Sequence, residues 1–188
     1  FGGLVMVAGT PRAVDGARAE ALAGAARACG LALVGVFRDE DAMEVAVKAR
    51  TLGLAAVQLH GEEDAGYIRR LRGLLPEGVE IWAAGAVGET VPEPRAGADR
   101  VLFDTAVGGR SGGTGTTFDW ALLDKRGELD RSILAGGLNA GNAFAASRVG
   151  AYALDVGSGV EGSPGRKDGE RLRAFFEALR VPVRGEIG

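Results

Sequence analysis

The stretch ILAGGLNAGNAFAA, from Ile133 to Ala146, shows the pattern of strand, loop and helix that recurs along the chain. A short apolar run ends in two glycines, Gly136 and Gly137, and an alanine-rich segment of helical character follows directly. Glycine at the end of a strand either permits a tight turn, because it lacks a Cβ atom, or lets another group approach the backbone closely. The rest of the chain decides which of these two explanations applies.

The composition indicates one globular domain, spanning residues 1–188, with a sizeable core. A formal net charge of -3 argues against a nucleic-acid partner, which would require a basic face. The 32 glycines are more than twice the usual share of about 7%, and they lie between apolar runs, where turns and ligand loops are expected. Cys29 is the only cysteine, so an internal disulfide and a zinc cluster are excluded and a cytoplasmic location is favoured.

We expect no membrane partner. The apolar segment at residues 21–37 contains Arg27 and is interrupted at Cys29 and Gly30, so a helix followed by a strand fits it better than a membrane span. The first residues, FGGLVMVAG, lack the basic leader and the cleavage pattern of a signal peptide.

Apolar runs and helical segments alternate along the whole chain. The predicted strands are Leu4–Ala8, Leu31–Phe37, Ala55–Leu59, Glu80–Ala84, Arg100–Phe103, Ser132–Ala135 and Tyr152–Val156. The predicted helices are Asp15–Cys29, Asp41–Leu52, Glu63–Leu74, a turn near Trp120, Ala140–Val149 and Lys167–Arg180. Short apolar strands without strict alternation are typical of a parallel sheet covered by helices.

Polar and glycine-rich clusters follow most of these strands, among them GTPR, HGEE, GGLNAG and GSGVEG. A doubly wound sheet usually carries one glycine fingerprint after its first strand, whereas an eight-stranded barrel builds its site from many strand ends. The pattern therefore predicts an α/β fold of the (βα)8 TIM-barrel type. About seven strand-helix units are present, so we expect a barrel that is N-terminally truncated by its first unit.

The last two strand ends predict a phosphate site. Loops after the seventh and eighth barrel strands commonly bind phosphate through backbone N–H groups and a helix N-terminus. Gly136 and Gly137 occupy one loop, and Gly157, Ser158 and Gly159 occupy the other. The alternative is that these glycines serve only tight turns.

Four further side chains follow strands and could act on a ligand. Partial burial of Asp104 would raise its pKa and suit it to general acid catalysis, although an aspartate here could equally cap a loop. Asp155 closes the last strand in the same way and could orient a substrate hydroxyl. Arg12 could bind a carboxylate through two hydrogen bonds, or it could be a solvated surface arginine. His60, which shares a strand face with Gln58, has no metal partner in sequence and could be structural.

Glycines fill the segment from Gly108 to Gly115, which could be a mobile loop that closes over a ligand or a plain linker.

Four motifs in order resemble the phosphoribosylanthranilate isomerase family of tryptophan biosynthesis. They are LAAVQLHGEE, FDTAVGGRSGGTGTTFDW, ILAGGLNAGNA and LDVGSGVEGSPGRKD. The segments FGGLVMVAGTPR and VGETVP look closest to the isomerase half of bifunctional proteins, so the resemblance implies an upstream indole-glycerol-phosphate synthase domain.

The resemblance implies an eight-stranded barrel that catalyses an Amadori rearrangement without a cofactor or a metal. Its substrate would be a small phosphosugar, N-(5-phosphoribosyl)anthranilate, with Asp104 as the general acid and Arg12 at the anthranilate carboxylate. Gln58, His60 and Asp155 match positions that line the family's active site. The two glycine loops, with Gly136, Gly137, Gly157, Ser158 and Gly159, match its phosphate loops.

One feature departs from the family pattern. The family's general base is a cysteine that ends the first strand, and Cys29 lies outside such a motif. We therefore expect the chain as it stands to be inactive or strongly impaired, because the first unit and the base are missing together. The alternatives are a non-catalytic phosphosugar-binding fragment and, with less support, a sister barrel enzyme acting on a histidine-pathway aminoaldose.

Overall fold

The computed structural model describes residues 1–107, 110–111, 117–124 and 126–180. The chain separates into two compact units. The first unit comprises Phe1–Gly85 and Pro92–Leu102, and the second comprises Ala86–Val91 and Phe103–Gly188.

The first unit alternates strands with helices that begin at aspartates. Its elements are β1 (Gly2–Val5), α1 (Gly16–Ala28), β2 (Leu33–Phe37), α2 (Ala42–Leu52), β3 (Ala56–Leu59), α3 (Ala65–Leu74) and the first parts of β4 (Glu80–Val87) and β5 (Arg100–Val107). The strands follow one another in the sheet in sequence order, and the pairs from β1 to β4 are parallel. Since parallel strands end at the same edge, the loops after β1, β2 and β3 share one side of this unit.

The helices of the first unit are fixed at their starts and along their apolar faces. Asp15, Asp41 and Asp64 each accept a hydrogen bond from a backbone N–H of the first helical turn, as capping aspartates do. The apolar faces pack on the strands in one core, which includes Leu4, Ala19, Ala23, Phe37, Val45, Ala46, Leu52, Val57, Leu59, Ile68, Leu71 and Ile81. This packing covers the strands and leaves their carboxyl ends to the loops.

The second unit continues the same pattern with shorter elements. They are the rest of β4 and β5, β6 (Arg110–Ser111), β7 (Ser132–Leu134), α4 (Ala143–Ser147), β8 (Ala153–Leu154), β9 (Glu161–Ser163), β10 (Arg166–Lys167) and α5 (Gly169–Leu179). Short 3₁₀ turns cover Trp120–Leu123, Leu129–Arg131 and Ser158–Val160. β5 neighbours β7 and β7 pairs with β8 in parallel, whereas β9 and β10 form a separate antiparallel hairpin.

Several predicted boundaries are wrong. β5 runs on to Val107, because its later residues pair with β6, so Asp104 lies inside the strand rather than at its end. The last helix begins at Gly169 and not at Lys167, because Lys167 belongs to the hairpin and Asp168 caps the helix. Glu63 lies before α3, whose N-cap is Asp64. None of the helices in the described ranges is both long and apolar enough to cross a bilayer.

Candidate active site

Asp104 on β5 is a buried acid whose charge is disfavoured. The residue is only 6% exposed, and its Oδ1 accepts a hydrogen bond of 2.8 Å from the backbone N–H of Thr105. Burial, with a further contribution from the negative charge of Asp155, raises the pKa of Asp104 to about 6, although the Thr105 hydrogen bond opposes the shift. A carboxyl group with this pKa can hold a proton and release it near neutral pH, as a general acid must.

Asp155 directly follows β8, whereas the sequence predicts it inside the end of a strand that runs from Tyr152 to Val156. Its backbone N–H donates to the carbonyl of Leu134 on β7 at 2.8 Å, and the amide of Ala135 donates to Phe103 on β5 at 2.8 Å. These bonds align the ends of three neighbouring strands of the second unit. They bring Asp155 near enough to raise the pKa of Asp104.

Both the backbone conformation of Gly136 and its close approach to Thr105 require a glycine. Its φ of 84° is one that side chains rarely adopt, and a Cβ atom there would overlap Thr105 Oγ1 and lie 2.5 Å from the Thr105 nitrogen. Thr105 Oγ1 also accepts the backbone N–H of Phe118 at 3.2 Å. The glycine therefore lets the turn after β7 press against β5, one residue from the buried acid.

Gly137 lies in the same turn and is held through its carbonyl. That oxygen accepts side-chain N–H groups from Asn139 and Asn142, each at 3.1 Å, and its φ is 66°. Asn142 Oδ1 in turn accepts the backbone N–H of Asn139 at 2.8 Å. The two asparagines thus fix the shape of the turn that leads into α4.

The two predicted phosphate loops touch each other. A Cβ atom at Gly159 would overlap the carbonyl oxygen of Leu138, so only glycine lets the loop after β8 reach the loop after β7. Gly157 and Ser158 precede it, and Ser158 begins a 3₁₀ turn. The predicted phosphate residues Gly136, Gly137, Gly157, Ser158 and Gly159 therefore form one region of the second unit.

Lys167 lies beside these loops and is not among the residues that the sequence predicts for the site. Lys167 Nζ donates to the carbonyl of Gly157 at 2.7 Å and lies 3.2 Å from Oε1 of the buried Glu161. Sequence periodicity assigned Lys167 to a helix. A proline and a glycine just before it, at Pro164 and Gly165, were the available signal for a hairpin turn.

The first unit carries the other three predicted side chains. Gln58 is buried on β3, and its Nε2 lies 2.7 Å from Nε2 of His60, which follows the strand. An amide N–H donates across this distance only when the imidazole Nε2 is unprotonated. Arg12 lies half-buried in the turn between β1 and α1. The structure thus brings Gln58 and His60 together at the end of β3.

Two other sequence expectations have different outcomes. The predicted loop from Gly108 to Gly115 falls largely outside the described residues, which include only Arg110 and Ser111 of it. Cys29 is exposed at the end of α1 and its Sγ donates to the carbonyl of Ala26 at 3.3 Å, as expected of a helix-end residue. In the described ranges, no three His, Cys, Asp or Glu side chains are grouped as a metal site requires.

One known protein family matches almost the whole chain. The profile of the family described as N-(5'phosphoribosyl)anthranilate (PRA) isomerase matches residues 1–178. The chain belongs to the PRA isomerase family. The family resemblance and the barrel-type fold inferred from the sequence are thereby confirmed.

Curated relatives of this PRA isomerase chain are longer proteins. The tryptophan biosynthesis protein TrpCF of Vibrio cholerae is 47% identical over 182 residues, which cover 96% of this chain and 37% of the relative. TrpCF of Yersinia pestis is 46% identical over the same number of residues and similar shares of both chains. The chain therefore spans little more than a third of the curated relatives it matches.

Solved PRA isomerases share the fold. The phosphoribosyl anthranilate isomerase of Thermus thermophilus superposes with a TM-score of 0.77 at 31% identity, covering 94% of this chain and 86% of that one. A phosphoribosyl anthranilate isomerase in complex with reduced 1-(o-carboxyphenylamino)-1-deoxyribulose 5-phosphate gives a TM-score of 0.73 at 27% identity, with 94% and 85% covered. The chain thus has the (βα)8 barrel fold of the family, with one strand-helix unit fewer.

Proposed function

We propose that the protein containing this chain converts N-(5'-phosphoribosyl)anthranilate to 1-(2-carboxyphenylamino)-1-deoxyribulose 5-phosphate in tryptophan biosynthesis. The reaction is an Amadori rearrangement, in which an aminoaldose becomes an aminoketose. Family membership over residues 1–178 supports the proposal. The observation that carries it is the buried acid Asp104, with a pKa of about 6, beside the glycine turn after β7.

Asp104 is the general acid in this proposal. Its carboxyl proton goes to the ribose ring oxygen while the bond between that oxygen and C1 breaks, which opens the ring and leaves a protonated Schiff base. Removal of the C2 proton by a base then gives an enolamine, which tautomerises to the ketone. We assign the base to no residue of this chain. Cys29 lies at the end of α1, and its Sγ donates a hydrogen bond to the carbonyl of Ala26.

The remaining assignments concern substrate binding. In the proposal Arg12 binds the anthranilate carboxylate through two hydrogen bonds from its guanidinium, and Gln58, His60 and Asp155 are substrate-binding residues. The turn after β7 and the loop after β8 bind the terminal phosphate through backbone N–H groups. The contact between Gly159 and Leu138 supports this role, since it brings two glycine loops to one place.

The wider setting is part of the same proposal. Residues 1–188 form one isomerase domain of a cytoplasmic protein that also carries an indole-glycerol-phosphate synthase domain upstream. The length of the relatives named TrpCF supports this view, because the chain covers only 37% of the Vibrio protein.

The test is to measure conversion of N-(5'-phosphoribosyl)anthranilate by the intact gene product and by its Asp104→Asn variant. Loss of a general acid should lower kcat by about 10²- to 10⁴-fold. Asp130→Asn is the matched control, because Asp130 is an exposed acid in the 3₁₀ turn before β7. Normal turnover by Asp104→Asn would contradict the acid assignment. Binding of the reduced product analogue without any turnover by the intact protein would favour a phosphosugar-binding role instead.

A further inference from the structure

Glu63 is a fully buried acid that the proposed reaction does not use. Its side chain is 1% exposed and lies in the loop between β3 and α3. Oε1 accepts the backbone N–H of Asp39, after β2, at 2.8 Å, and Oε2 accepts the backbone N–H of Gly61 at 2.9 Å. One carboxylate thus holds together the loops that follow β2 and β3.

Arg95 completes this arrangement from a third segment of the first unit. Its Nη1 lies 3.1 Å from Glu63 Oε2 and donates to the Glu63 carbonyl at 3.1 Å. Its Nη2 donates to the carbonyls of Gly61 at 2.7 Å and Ala84 on β4 at 3.0 Å. The planar guanidinium can satisfy several acceptors at fixed angles, which a lysine cannot do.

His60 lies between the end of β3 and Gly61, which Glu63 and Arg95 hold. Its own backbone N–H donates to the carbonyl of Phe37 at 2.9 Å, and the next peptide N–H, that of Gly61, is held by Glu63. Both peptide groups that flank the Cα atom of His60 are therefore hydrogen-bonded. This fixes φ and ψ of His60 and, with them, the direction in which its imidazole leaves the backbone.

Close packing reinforces the geometry at Gly61. A Cβ atom there would overlap the carboxylate of Asp39 and lie 2.7 Å from its Oδ2. Asp39 has a φ of 51°, in the left-handed region that aspartate tolerates better than most residues, and its Oδ1 accepts the N–H of Glu62 at 2.6 Å. The loops after β2 and β3 are thus locked by side chains as well as by the ion pair.

We propose that Glu63 and Arg95 are positioning residues that hold His60, and through it the amide of Gln58, against the substrate. This inference rests on the proposed function, in which His60 lines the site. Another ion pair of the same unit, Glu80 with Arg100, has no such role. It joins the first residues of β4 and β5, with Arg100 Nε 2.8 Å and Nη2 3.0 Å from the carboxylate, at the amino ends of the strands.

The kinetic test is a double-mutant cycle in the intact gene product. Glu63→Gln should lower kcat/KM by about 10- to 100-fold, because a displacement of about 1 Å in a binding group has an effect of that size. In a His60→Ala background, the same substitution should change kcat/KM by no more than about twofold, since the group it positions is gone. Glu80→Gln is the matched control and should leave kcat/KM unchanged.

A second variant and a second readout keep the test decisive if Glu63→Gln folds poorly. Arg95→Lys keeps the positive charge and should lose activity to a similar degree. The imidazole proton signals that are present in the unmodified protein and vanish in His60→Ala can be assigned to His60 by NMR. These signals should shift in Glu63→Gln and Arg95→Lys and stay in place in Glu80→Gln.

Unchanged imidazole signals together with wild-type kcat/KM in both variants would overturn the proposal. An undiminished loss in the His60→Ala background would also overturn it, because it would mean that the ion pair supports the fold in general. Absence of isomerase activity in the unmodified protein is a different result. It would contradict the proposed function, while the NMR signals would still decide whether Glu63 and Arg95 position His60.

Discussion

Glu63 in the first unit and Asp104 in the second are both buried acids, yet their surroundings differ. Glu63 accepts two backbone N–H groups and pairs with Arg95. Asp104 accepts the backbone N–H of Thr105, and burial together with the like charge of Asp155 raises its pKa. Hydrogen-bond donors and a cation thus surround the carboxylate of Glu63, whereas the surroundings of Asp104 raise its pKa. Burial alone therefore does not decide whether an acid is structural or reactive.

The same contrast extends to the loops around them. In the first unit, side chains tie three strand ends together through the Glu63–Arg95 pair. In the second unit, glycines let backbone meet backbone, at Gly136 against Thr105 and at Gly159 against Leu138. The side-chain arrangement suits the positioning of an imidazole, and the backbone arrangement suits the many N–H groups that a phosphate requires.

The largest effect on stability should follow from Glu63→Ala. This change removes the carboxylate that pairs with Arg95 and that accepts two backbone N–H groups, and breaking a buried pair from one side costs about 3–5 kcal/mol. Glu80→Ala provides the comparison, because its carboxylate pairs with Arg100 at a partly exposed site and accepts Trp82 Nε1, which together should contribute only about 1–2 kcal/mol. Urea unfolding of the intact gene product measures both. Equal losses for the two variants would show that burial of the Glu63 pair adds nothing.

A smaller loss should follow from Gly136→Ala, with Gly78→Ala as its control. Both glycines have nearly the same φ, 84° and 82°, so the backbone strain of an alanine is matched. No heavy atom lies within 4 Å of a Cβ at Gly78, whereas one at Gly136 would meet the Thr105 backbone at 2.5 Å. We expect about 1 kcal/mol of destabilisation at Gly78 and about 2–4 kcal/mol at Gly136. Similar unfolding free energies would mean that φ, and not close approach, requires Gly136.

The sequence predicts the repeated strand-helix pattern because each strand is a short apolar run and each helix of the first unit begins at an aspartate. Asp41 and Asp64 illustrate this, since both cap their helices through local hydrogen bonds. It also identifies Asp104 as a candidate acid from its place after VLF. These features depend on residues that are close together in the sequence, so the sequence alone is enough to predict them.

Features that depend on distant partners could not be read in this way. The sequence pattern predicts Glu63 at the start of a helix. Its contact with Arg95, which lies 32 residues later, forms only in the folded chain. The sequence pattern predicts Lys167 in a helix, whereas its contact with Gly157 depends on the hairpin of β9 and β10. The sequence predicts Asp104 at the end of its strand, whereas the pairing of β5 with β6 extends the strand beyond it. In each case the deciding partner lies several residues or a whole segment away.

The smallest effect, and one of opposite sign, should come from Asp104→Asn. The pKa of Asp104 is about 6 in the folded chain and about 3.8 as a free side chain, so the folded state binds more protons between these values and loses stability as pH rises through them. Asparagine keeps an oxygen for the Thr105 N–H and cannot ionise. The variant should therefore be more stable than the native protein, by about 1–3 kcal/mol at pH 8 and by roughly half as much at pH 5.

Urea unfolding of the intact gene product at the two pH values measures this gain, with Asp130→Asn as the exposed control that should change little at either. The corresponding change of an acid to its amide in the first unit, Glu63→Gln, should lower the free energy of unfolding, since it removes a carboxylate that is paired with Arg95. A destabilised Asp104→Asn at pH 8 would mean that the ionised form of Asp104 is favoured in the folded chain. In that case the difference between the two acids would be one of position alone, and Asp104 would not hold the proton that the proposed ring opening requires.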